Sequence, residues 1–399
     1  NVGSGAGYDV AIANGAAQVF NVGSGSITIL GDYFYSSTTT ITSTGTLTFA
    51  PFGNAFTDSA GTARTFTWSG NVSGANFGGT GSINAITINS IANLTGLTIG
   101  NASSTSNSAV TISNAIGIAG PINIYGAAVT LTAGLSTSNT TTGNIGITTT
   151  GLTGAGAISL ATGRALTVTQ SGASTYSGVI SGTSATVTKL GAGTLTVSGN
   201  STYTGQTTVS AGTLKLGASS SGANSPIGTV ATGVVVESGA ALDLAGYSIT
   251  TLEPLTLSGT GVSNSGALFN SSSTASTYAG PITLAADTLI KSSTGALILN
   301  GAITGAFGLT VTNTGALTLG STVGTSSTRL TSLSVSGASN LYGNVWTSGA
   351  QTYTGNLAVG GDISLNSTSG GVTLGGTLSG ITVTTLLYET TTATRAANA

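Results

Sequence analysis

Cysteine, methionine and histidine are absent from this 399-residue sequence. Without cysteine, the chain can form neither a disulfide framework nor a thiolate metal site. Without histidine, it lacks the side chain that most often serves as a general base or a neutral metal ligand near pH 7. The lack of cysteine and methionine also removes the main targets of oxidation, which suits a protein outside the cell. We therefore predict no metal site, no cofactor and an extracellular location.

Charge is also scarce: the chain has seven Lys and Arg and nine Asp and Glu, or 4% of its residues. Soluble globular domains average about 25% charged residues. A net charge of −2 excludes a protein that binds nucleic acid through its charge. It also provides little repulsion against self-association. Disorder is disfavoured because disordered chains combine high net charge with few apolar residues, whereas 39% of this chain is hydrophobic.

Long apolar runs are missing as well, since no stretch approaches the length of about 18 consecutive apolar residues that a membrane span requires. The sequence therefore predicts no transmembrane helix. The first residues, NVGSGAGYDV, lack the pattern of a signal peptide, and we expect that any such segment has been removed.

Strict alternation of apolar and polar residues is the main local pattern. In GTLTVSG (193–199) the Leu and Val would face one way and the Thr and Ser the other. Similar short segments recur along the chain and end at Gly, which is typical of short strands joined by turns. We predict ten inward side chains in these strands: Leu195, Val197, Leu214, Leu216, Leu242, Leu244, Leu297, Leu299, Leu317 and Leu319.

Two longer periods overlie the alternation. Tyr-x-Gly occurs at Tyr203, Tyr278 and Tyr353 with one constant spacing, a 75-residue period, and the segment 277–305 aligns with 352–380 without a gap. NVGSG at 1–5 returns at 21–25. Short strands and Gly turns that repeat at about 20 residues are typical of a parallel β-helix. We predict an all-β, right-handed parallel β-helix (a β-solenoid) forming a single elongated rod. Four turns would then fill the longer period and place equivalent side chains on one face.

At this point the sequence resembles a known family. TVTKLGAGTLTVSGNSTYTGQTTVSAGTLKLG (186–217) and VVVESGAALDLAG (234–246) resemble the autotransporter-associated β-strand repeat. Residues 97–133 and 351–376 resemble repeats of filamentous-haemagglutinin-type adhesins. The resemblance implies export across the outer membrane of a Gram-negative cell and a role in adhesion, biofilm or surface coating. The N-terminal secretion domain and C-terminal membrane domain of these families are missing, so we expect a processed product or an excerpt.

The same patterns divide the chain into four regions. We predict irregular haemagglutinin-like turns over 1–170, autotransporter-type repeats over 171–275 and turns with the 75-residue period over 276–380. Residues 381–399 are predicted to form a C-terminal cap, a linker or an assembly segment.

The carboxylates do not form a catalytic pattern. Asp243 lies between two inward leucines and should point outward, alone. Asp287 and Asp362 occupy equivalent repeat positions, which favours a role in turns. Glu237 and Glu253 are close enough in sequence to lie on neighbouring turns, but the sequence places no base beside them. We therefore predict no catalytic residues and no enzyme.

Tyr203, Tyr278 and Tyr353 leave two interpretations open. They could form a surface aromatic stripe that stacks on sugar rings. Alternatively, each lies at a corner of its turn, where its hydroxyl caps the turn.

Two functions remain for a non-catalytic β-solenoid. The chain could be a structural or adhesive part of a bacterial surface fibre that binds host surfaces, abiotic surfaces or glycans. It could instead be a self-polymerising filament or sheath subunit that stacks end to end, in which case its partner is itself. Neither function involves nucleic acid.

Overall fold

The chain divides into two compact units, residues 1–205 and 206–399. The predicted C-terminal segment 381–399 and the first copy of NVGSG at 1–5 lie outside the described residues. The computed structural model describes residues 9–12, 18–30, 33–36, 39–51, 66–68, 75–77, 86–89, 93–102 and 108–380.

Short strands dominate the first unit, as the alternating pattern predicts. Almost all of its described strand pairs are parallel. The exception is β8 (Ala75–Phe77), which pairs antiparallel with β7 (Phe66–Trp68) and β9 (Ile86–Asn89). The described strands are β1 (Asp9–Ile12), β2 (Gln18–Asn21), β3 (Ile27–Leu30), β4 (Tyr33–Ser36), β5 (Thr39–Thr42), β6 (Thr46–Ala50), β7 (Phe66–Trp68), β8 (Ala75–Phe77), β9 (Ile86–Asn89), β10 (Gly96–Ile99), β11 (Val110–Ile112), β12 (Ile116–Ile118), β13 (Ile122–Leu131), β14 (Leu135–Thr137), β15 (Ile145–Gly154), β16 (Ile158–Ser159), β17 (Ala165–Gln170), β18 (Ser174–Tyr176), β19 (Ile180–Ser181), β20 (Thr186–Leu190) and β21 (Thr194–Val197).

The second unit has the same construction, with a short 3₁₀ segment at Val262–Asn264. Its described strands are β22 (Thr207–Val209), β23 (Gly212–Leu216), β24 (Asn224–Ser225), β25 (Gly228–Thr229), β26 (Val234–Val236), β27 (Ala240–Asp243), β28 (Leu255–Gly259), β29 (Leu268–Asn270), β30 (Ser276–Tyr278), β31 (Ile282–Ser292), β32 (Leu297–Leu299), β33 (Ile303–Thr304), β34 (Gly308–Asn313), β35 (Leu317–Leu319), β36 (Ser332–Val335), β37 (Ser339–Leu341), β38 (Val345–Thr347), β39 (Gln351–Tyr353), β40 (Leu357–Val359), β41 (Leu365–Ser367), β42 (Val372–Leu374) and β43 (Leu378–Gly380).

Each unit buries columns of apolar side chains, because a strand pairs in register with the equivalent strand of the next turn. The backbone hydrogen bonds then run from turn to turn, and side chains of equal register stack about 4.8 Å apart. In the first unit one inward column contains Phe49, Ile99, Ile124, Ile147 and Val168.

Three faces surround the core of the second unit. The registers define one long inward column on each face, and the side chains of the regular turns in these columns are buried. The columns are Val234, Leu255, Ile282, Ile303, Val323 and Val345; Leu214, Leu242, Leu268, Ile290, Val311, Val335 and Tyr353; and Tyr278, Leu299, Leu319 and Leu341.

The predicted all-β parallel solenoid is confirmed, and all ten predicted inward side chains are buried. The regular turns keep the predicted length of about 20 residues.

The interpretation of the 75-residue period is wrong. In the register, Ser276 reaches Leu357 at the fourth following turn, whereas one period counted from Ser276 ends at Gln351. The period therefore falls short of four turns. As a result, Tyr278 and Tyr353 lie on different faces, in columns with Leu299 and Leu374 respectively.

One turn of the second unit is interrupted. Between β23 and β26 the chain forms a hairpin in which β24 and β25 pair antiparallel, with Ser225 opposite Gly228. Every other strand pair among the described residues of this unit is parallel. In this part of the unit two carboxyl groups are buried, those of Asp243 at the end of β27 and of Glu253 in the following loop 245–254.

Candidate functional site

The three tyrosines of the predicted surface stripe are buried. Tyr203, Tyr278 and Tyr353 are each at most 1% exposed. The surface stripe is therefore wrong, because each ring lies in the apolar interior instead of facing solvent. None of them is available to stack on a sugar.

The hydroxyls of Tyr278 and Tyr353 have interior partners, as the alternative interpretation predicts in part. The Tyr278 hydroxyl donates to the carbonyl oxygen of Glu253 at 2.9 Å, and the Tyr353 hydroxyl donates to the side-chain oxygen of Gln351 at 3.3 Å. Tyr176 makes a similar bond to the carbonyl of Gly156 at 2.5 Å. Burial raises the pKa of the hydroxyls of Tyr176, Tyr278 and Tyr353, which keeps them neutral donors.

Asp243 is on the outward side of its strand, as predicted, because the register places it beside Lys215 and Phe269 and opposite the inward Leu242. It is not alone, however, contrary to the prediction: it is only 2% exposed, at the end of β27 and two residues before Ala245, which has a positive φ of 52°. The carboxylate accepts hydrogen bonds from the Ala245 and Ser271 amides at 2.9 and 3.1 Å and from the Ser271 hydroxyl at 2.7 Å. Lys215 Nζ lies 3.5 Å away. Four donors thus stabilise this buried charge.

Three other carboxylates of the second unit lie at the surface. Asp287 is exposed and accepts a hydrogen bond from the amide of Gly308, in the next turn of the solenoid, at 2.7 Å. It therefore links two successive turns instead of closing the turn in which it lies. Asp362 and Glu237 are exposed. Glu237 and Glu253 therefore differ in environment, because Glu253 is buried.

Glu253 is the most unusual group of the second unit. Its side chain is 1% exposed, and one carboxyl oxygen, Oε2, lies 3.1 Å from the hydroxyl of Ser225. The other oxygen, Oε1, is buried without a hydrogen-bond partner. Burial raises the pKa of Glu253 to about 8, against a smaller lowering by the Ser225 hydrogen bond. At pH 7 the group is therefore mostly a neutral carboxylic acid.

Lys189 is the corresponding buried cation of the first unit. It continues the inward column of Phe49 after Val168, at a position where all preceding turns of the column carry an apolar residue (Phe, Ile or Val). Its Nζ donates to the carbonyl oxygens of Leu190 and Gly191 at 3.0 and 2.7 Å. Burial lowers the pKa of Lys189 to about 8. The ammonium group thus stabilises the turn that directly follows its own strand.

Uncharged polar side chains close several turns from inside. Each lies at the end of a strand and donates to the carbonyl oxygen two positions later, at 2.6 to 2.8 Å. The pairs are Gln170 with Gly172, Asn313 with Gly315, Thr347 with Gly349, and Ser367 with Ser369. Asn313 also bonds to the next turn, since its Oδ1 accepts the amide of Gly337 at 3.1 Å. We call this arrangement the internal turn cap.

The exterior is rich in hydroxyl groups and poor in charge. One outward column of the first unit consists of Thr67, Thr111, Thr130 and Thr153, and the last two hydroxyls are 3.0 Å apart. In the second unit the guanidinium of Arg329 lies 5.0 Å from the ring centroid of Trp346, which is a cation–π contact. Such a surface can form many weak polar contacts.

Metal and membrane features can be stated for the described part of the chain. No group of three or more His, Cys, Asp or Glu side chains there could hold a metal ion. No helix there is long and apolar enough to cross a membrane.

Sequence reasoning missed the two buried groups Glu253 and Lys189. A signal for Lys189 was present: in TVTKLG it takes the position of an inward residue, two after Val187. For Glu253 the signal was weaker, since only the adjacent Pro254 and the apolar LTLSG strand mark the point where the chain re-enters the wall.

Comparison with known proteins identifies one stretch. Residues 187–216 match the family described as Passenger-associated-transport-repeat, a repeat of autotransporter passengers. This match confirms the resemblance of residues 186–217 to an autotransporter repeat, and the family suggests a structural role and a surface or secreted location. The bounds 171–275 of the repeat region stay a prediction. No curated protein and no solved structure matches the chain significantly. The resemblance of the flanking stretches to filamentous haemagglutinins stays a prediction.

Proposed function

We propose that this chain is a structural and adhesive segment of a bacterial surface fibre, exported across the outer membrane, without catalytic activity. The observation that carries the proposal is the passenger repeat at 187–216, which lies within a parallel β-solenoid. Its strands β20 and β21 pair parallel with strands of the first unit, and β22 and β23 pair parallel with strands of the second. The hydroxyl-rich exterior supports adhesion through many weak contacts with glycans, host cells or abiotic surfaces.

Attachment of coated beads tests the adhesive role. Beads coated with the purified chain should attach to host cells or glass more than uncoated beads. The variant Thr318→Asp should attach equally well, because Thr318 faces outward from a folded strand. Leu299→Asp should lose attachment, because Leu299 is buried and its replacement unfolds the solenoid. Failure of the wild-type chain to attach to any surface would refute the adhesive role.

The absence of catalysis has its own test. The buried carboxyl groups of Asp243 and Glu253 have no shared hydrogen-bond partner, so they do not form an acid–base pair. Asp243 also interacts with four donors of the protein itself. We expect no turnover of pectin, alginate or glycosaminoglycans. Turnover that disappears in Asp243→Asn or Glu253→Gln would show an enzyme instead.

A filament subunit is the second candidate. It is supported by the net charge of −2, which leaves little repulsion between copies, and by parallel strands, since an open strand edge can pair with a further strand. Electron microscopy of the purified chain separates the two: long uniform filaments indicate a subunit, and separate short particles indicate a spacer. Because the attraction is not ionic, filament formation should not depend on salt.

A further inference from the structure

The hairpin of the interrupted turn is held on the second unit by a buried segment. The tip of the hairpin is Pro226–Ile227, between the paired Ser225 and Gly228, and these four residues are buried, whereas residues 221–223, which lead into the hairpin, are exposed. The carbonyl oxygen of Ile227 accepts a hydrogen bond from the Thr207 hydroxyl at 2.9 Å. The hairpin is therefore docked by its tip, and the residues that lead into it are exposed.

Ser225 lies at the centre of this docking. Its hydroxyl oxygen is 3.0 Å from the carbonyl oxygen of Gly228 and 3.1 Å from Glu253 Oε2, and it accepts the amide of Ile227 at 3.1 Å. Both oxygen neighbours are within donating distance, but a serine hydroxyl has one proton. Only one of the two contacts can therefore be a hydrogen bond donated by Ser225.

The protonation of Glu253 decides which one. If Glu253 is a carboxylic acid, Oε2 donates its own proton to Ser225, and Ser225 donates to Gly228. If Glu253 is a carboxylate, Ser225 must turn its proton toward Oε2, and the Gly228 carbonyl loses its side-chain donor. The loss of this side-chain hydrogen bond, beside a buried charge, destabilises the docked hairpin.

Few groups around Glu253 could favour its ionised form. The titratable side chain facing it is Tyr278 of β30, whose hydroxyl donates to the Glu253 backbone carbonyl and not to its carboxyl group. From the hairpin, only the uncharged Ser225 contacts the carboxyl. Among the described residues no Lys or Arg forms an ion pair with Glu253. Ionisation therefore lacks a compensating cation.

We propose that Ser225 and Glu253 form a proton-operated clasp that docks the hairpin when Glu253 is protonated and releases it when Glu253 ionises. The proton leaves to solvent, and no covalent bond changes. The direction of the effect follows from the raised pKa: the stabilisation is complete below the ordinary value of 4.5 and is lost as the pH rises to about 8. Release exposes Ile227 next to the already exposed Val230 and enlarges the apolar surface there.

Hydrogen exchange of the full chain tests the clasp. In wild type, the opening constant of residues 224–229, corrected for intrinsic exchange, should rise up to about tenfold per pH unit between pH 5 and 8 and level off above 8. In Glu253→Gln, which mimics the neutral acid, it should not change with pH. Glu237→Gln is the matched control, because Glu237 is an exposed carboxylate of the same unit. Equal pH dependence in wild type and Glu253→Gln overturns the proposal.

A second measurement decides the case even if Glu253→Gln fails to fold. Carbon-13 NMR of the wild-type chain resolves the carboxyl groups of Glu237, Glu253 and Glu389. One of them should titrate near pH 8, and Ser225→Ala should move that titration higher, because the hydroxyl no longer stabilises the charged form. Three ordinary titrations near pH 4 to 5 would overturn the clasp.

Discussion

The regular turns over 276–359 and the interrupted turn over 217–254 bury different kinds of polar group. In the regular turns the buried polar side chains are Ser, Thr, Asn and Gln, which carry no charge. In the interrupted turn they include Asp243 and Glu253. An orphan hydroxyl, such as that of Ser276, costs a hydrogen bond. An orphan carboxylate oxygen costs far more, so the group takes up a proton instead. The interruption therefore makes this turn sensitive to pH.

The two buried carboxyl groups also differ from each other. Asp243 has four donors from three residues, including the ammonium group of Lys215. Glu253 has one hydroxyl neighbour and one orphan oxygen. The two groups are therefore almost equally buried and differ in the number of hydrogen-bond donors around them.

The largest expected loss of unfolding free energy comes from a charge placed inside a regular turn. Leu299→Asp places a charge between Tyr278 and Leu319 in the core and should cost at least ~4 kcal/mol of unfolding free energy. Thr318→Asp, one position from that column, should change it by less than ~0.5 kcal/mol because Thr318 faces outward. Urea denaturation followed by circular dichroism measures both. Equal effects would reject the assigned register.

The next largest loss of stability should come from Asp243, the buried carboxylate with four hydrogen-bond donors. Asp243→Ala removes the acceptor of two backbone amides and one hydroxyl and should cost ~3 kcal/mol. Asp243→Asn keeps an acceptor oxygen and should cost less. If both variants are as stable as wild type in the same denaturation experiment, the donors around Asp243 find other partners and the comparison with Glu253 fails.

The buried cation Lys189 should show the opposite pH dependence to Glu253: its contribution to stability increases as the pH rises. The pKa of Lys189 is lowered to about 8 in the folded chain, from an ordinary 10.5. Between pH 8 and 9.5 the unfolded chain therefore holds a proton that the folded chain has lost. Wild type should gain ~1.4 kcal/mol of unfolding free energy per pH unit relative to Lys189→Met. A constant difference between the two proteins from pH 8 to 9.5 would contradict the lowered pKa.

The smallest effect compares two buried tyrosines. Tyr278→Phe removes the hydrogen bond to the Glu253 carbonyl and should cost ~1 kcal/mol. Tyr353→Phe removes a longer contact, 3.3 Å to Gln351, and should cost less. Thermal unfolding midpoints rank the two. A larger loss in Tyr353→Phe would show that the hydroxyl of Tyr278 contributes little to the interrupted turn.

Alternation was sufficient to predict the strands and their inward side chains, because a residue such as Leu299 has one choice of face once its strand is placed. It did not predict the faces of the long repeat. Tyr278 and Tyr353 share a sequence context but not a column, because the number of residues in a turn varies with each corner. Corner lengths depend on backbone turns that alternation does not encode.

The candidate site was less predictable for a related reason. Alternation placed Asp243 on the outward side of β27, but it did not show that Ser271 and Lys215, from other turns, surround the carboxylate there. Glu253 lies in a loop, and its burial depends on a hairpin that begins much earlier in the chain, at Asn224. Contacts between an insertion and a distant loop carry no local pattern. The roles of both residues therefore required the three-dimensional structure.

The internal turn cap has an evolutionary consequence. Gln170, Asn313 and Thr347 each close their own turn through a bond to a residue just beyond the strand. A gene segment that encodes whole turns of about 20 residues can therefore be duplicated or deleted without losing these closures. Insertion or deletion of one residue within a strand has no such freedom, because it moves the following side chains of that strand to the opposite face. Lineages of such chains should differ in length by complete turns and in sequence at the corners, where a hairpin such as β24–β25 adds new chemistry without disturbing the wall.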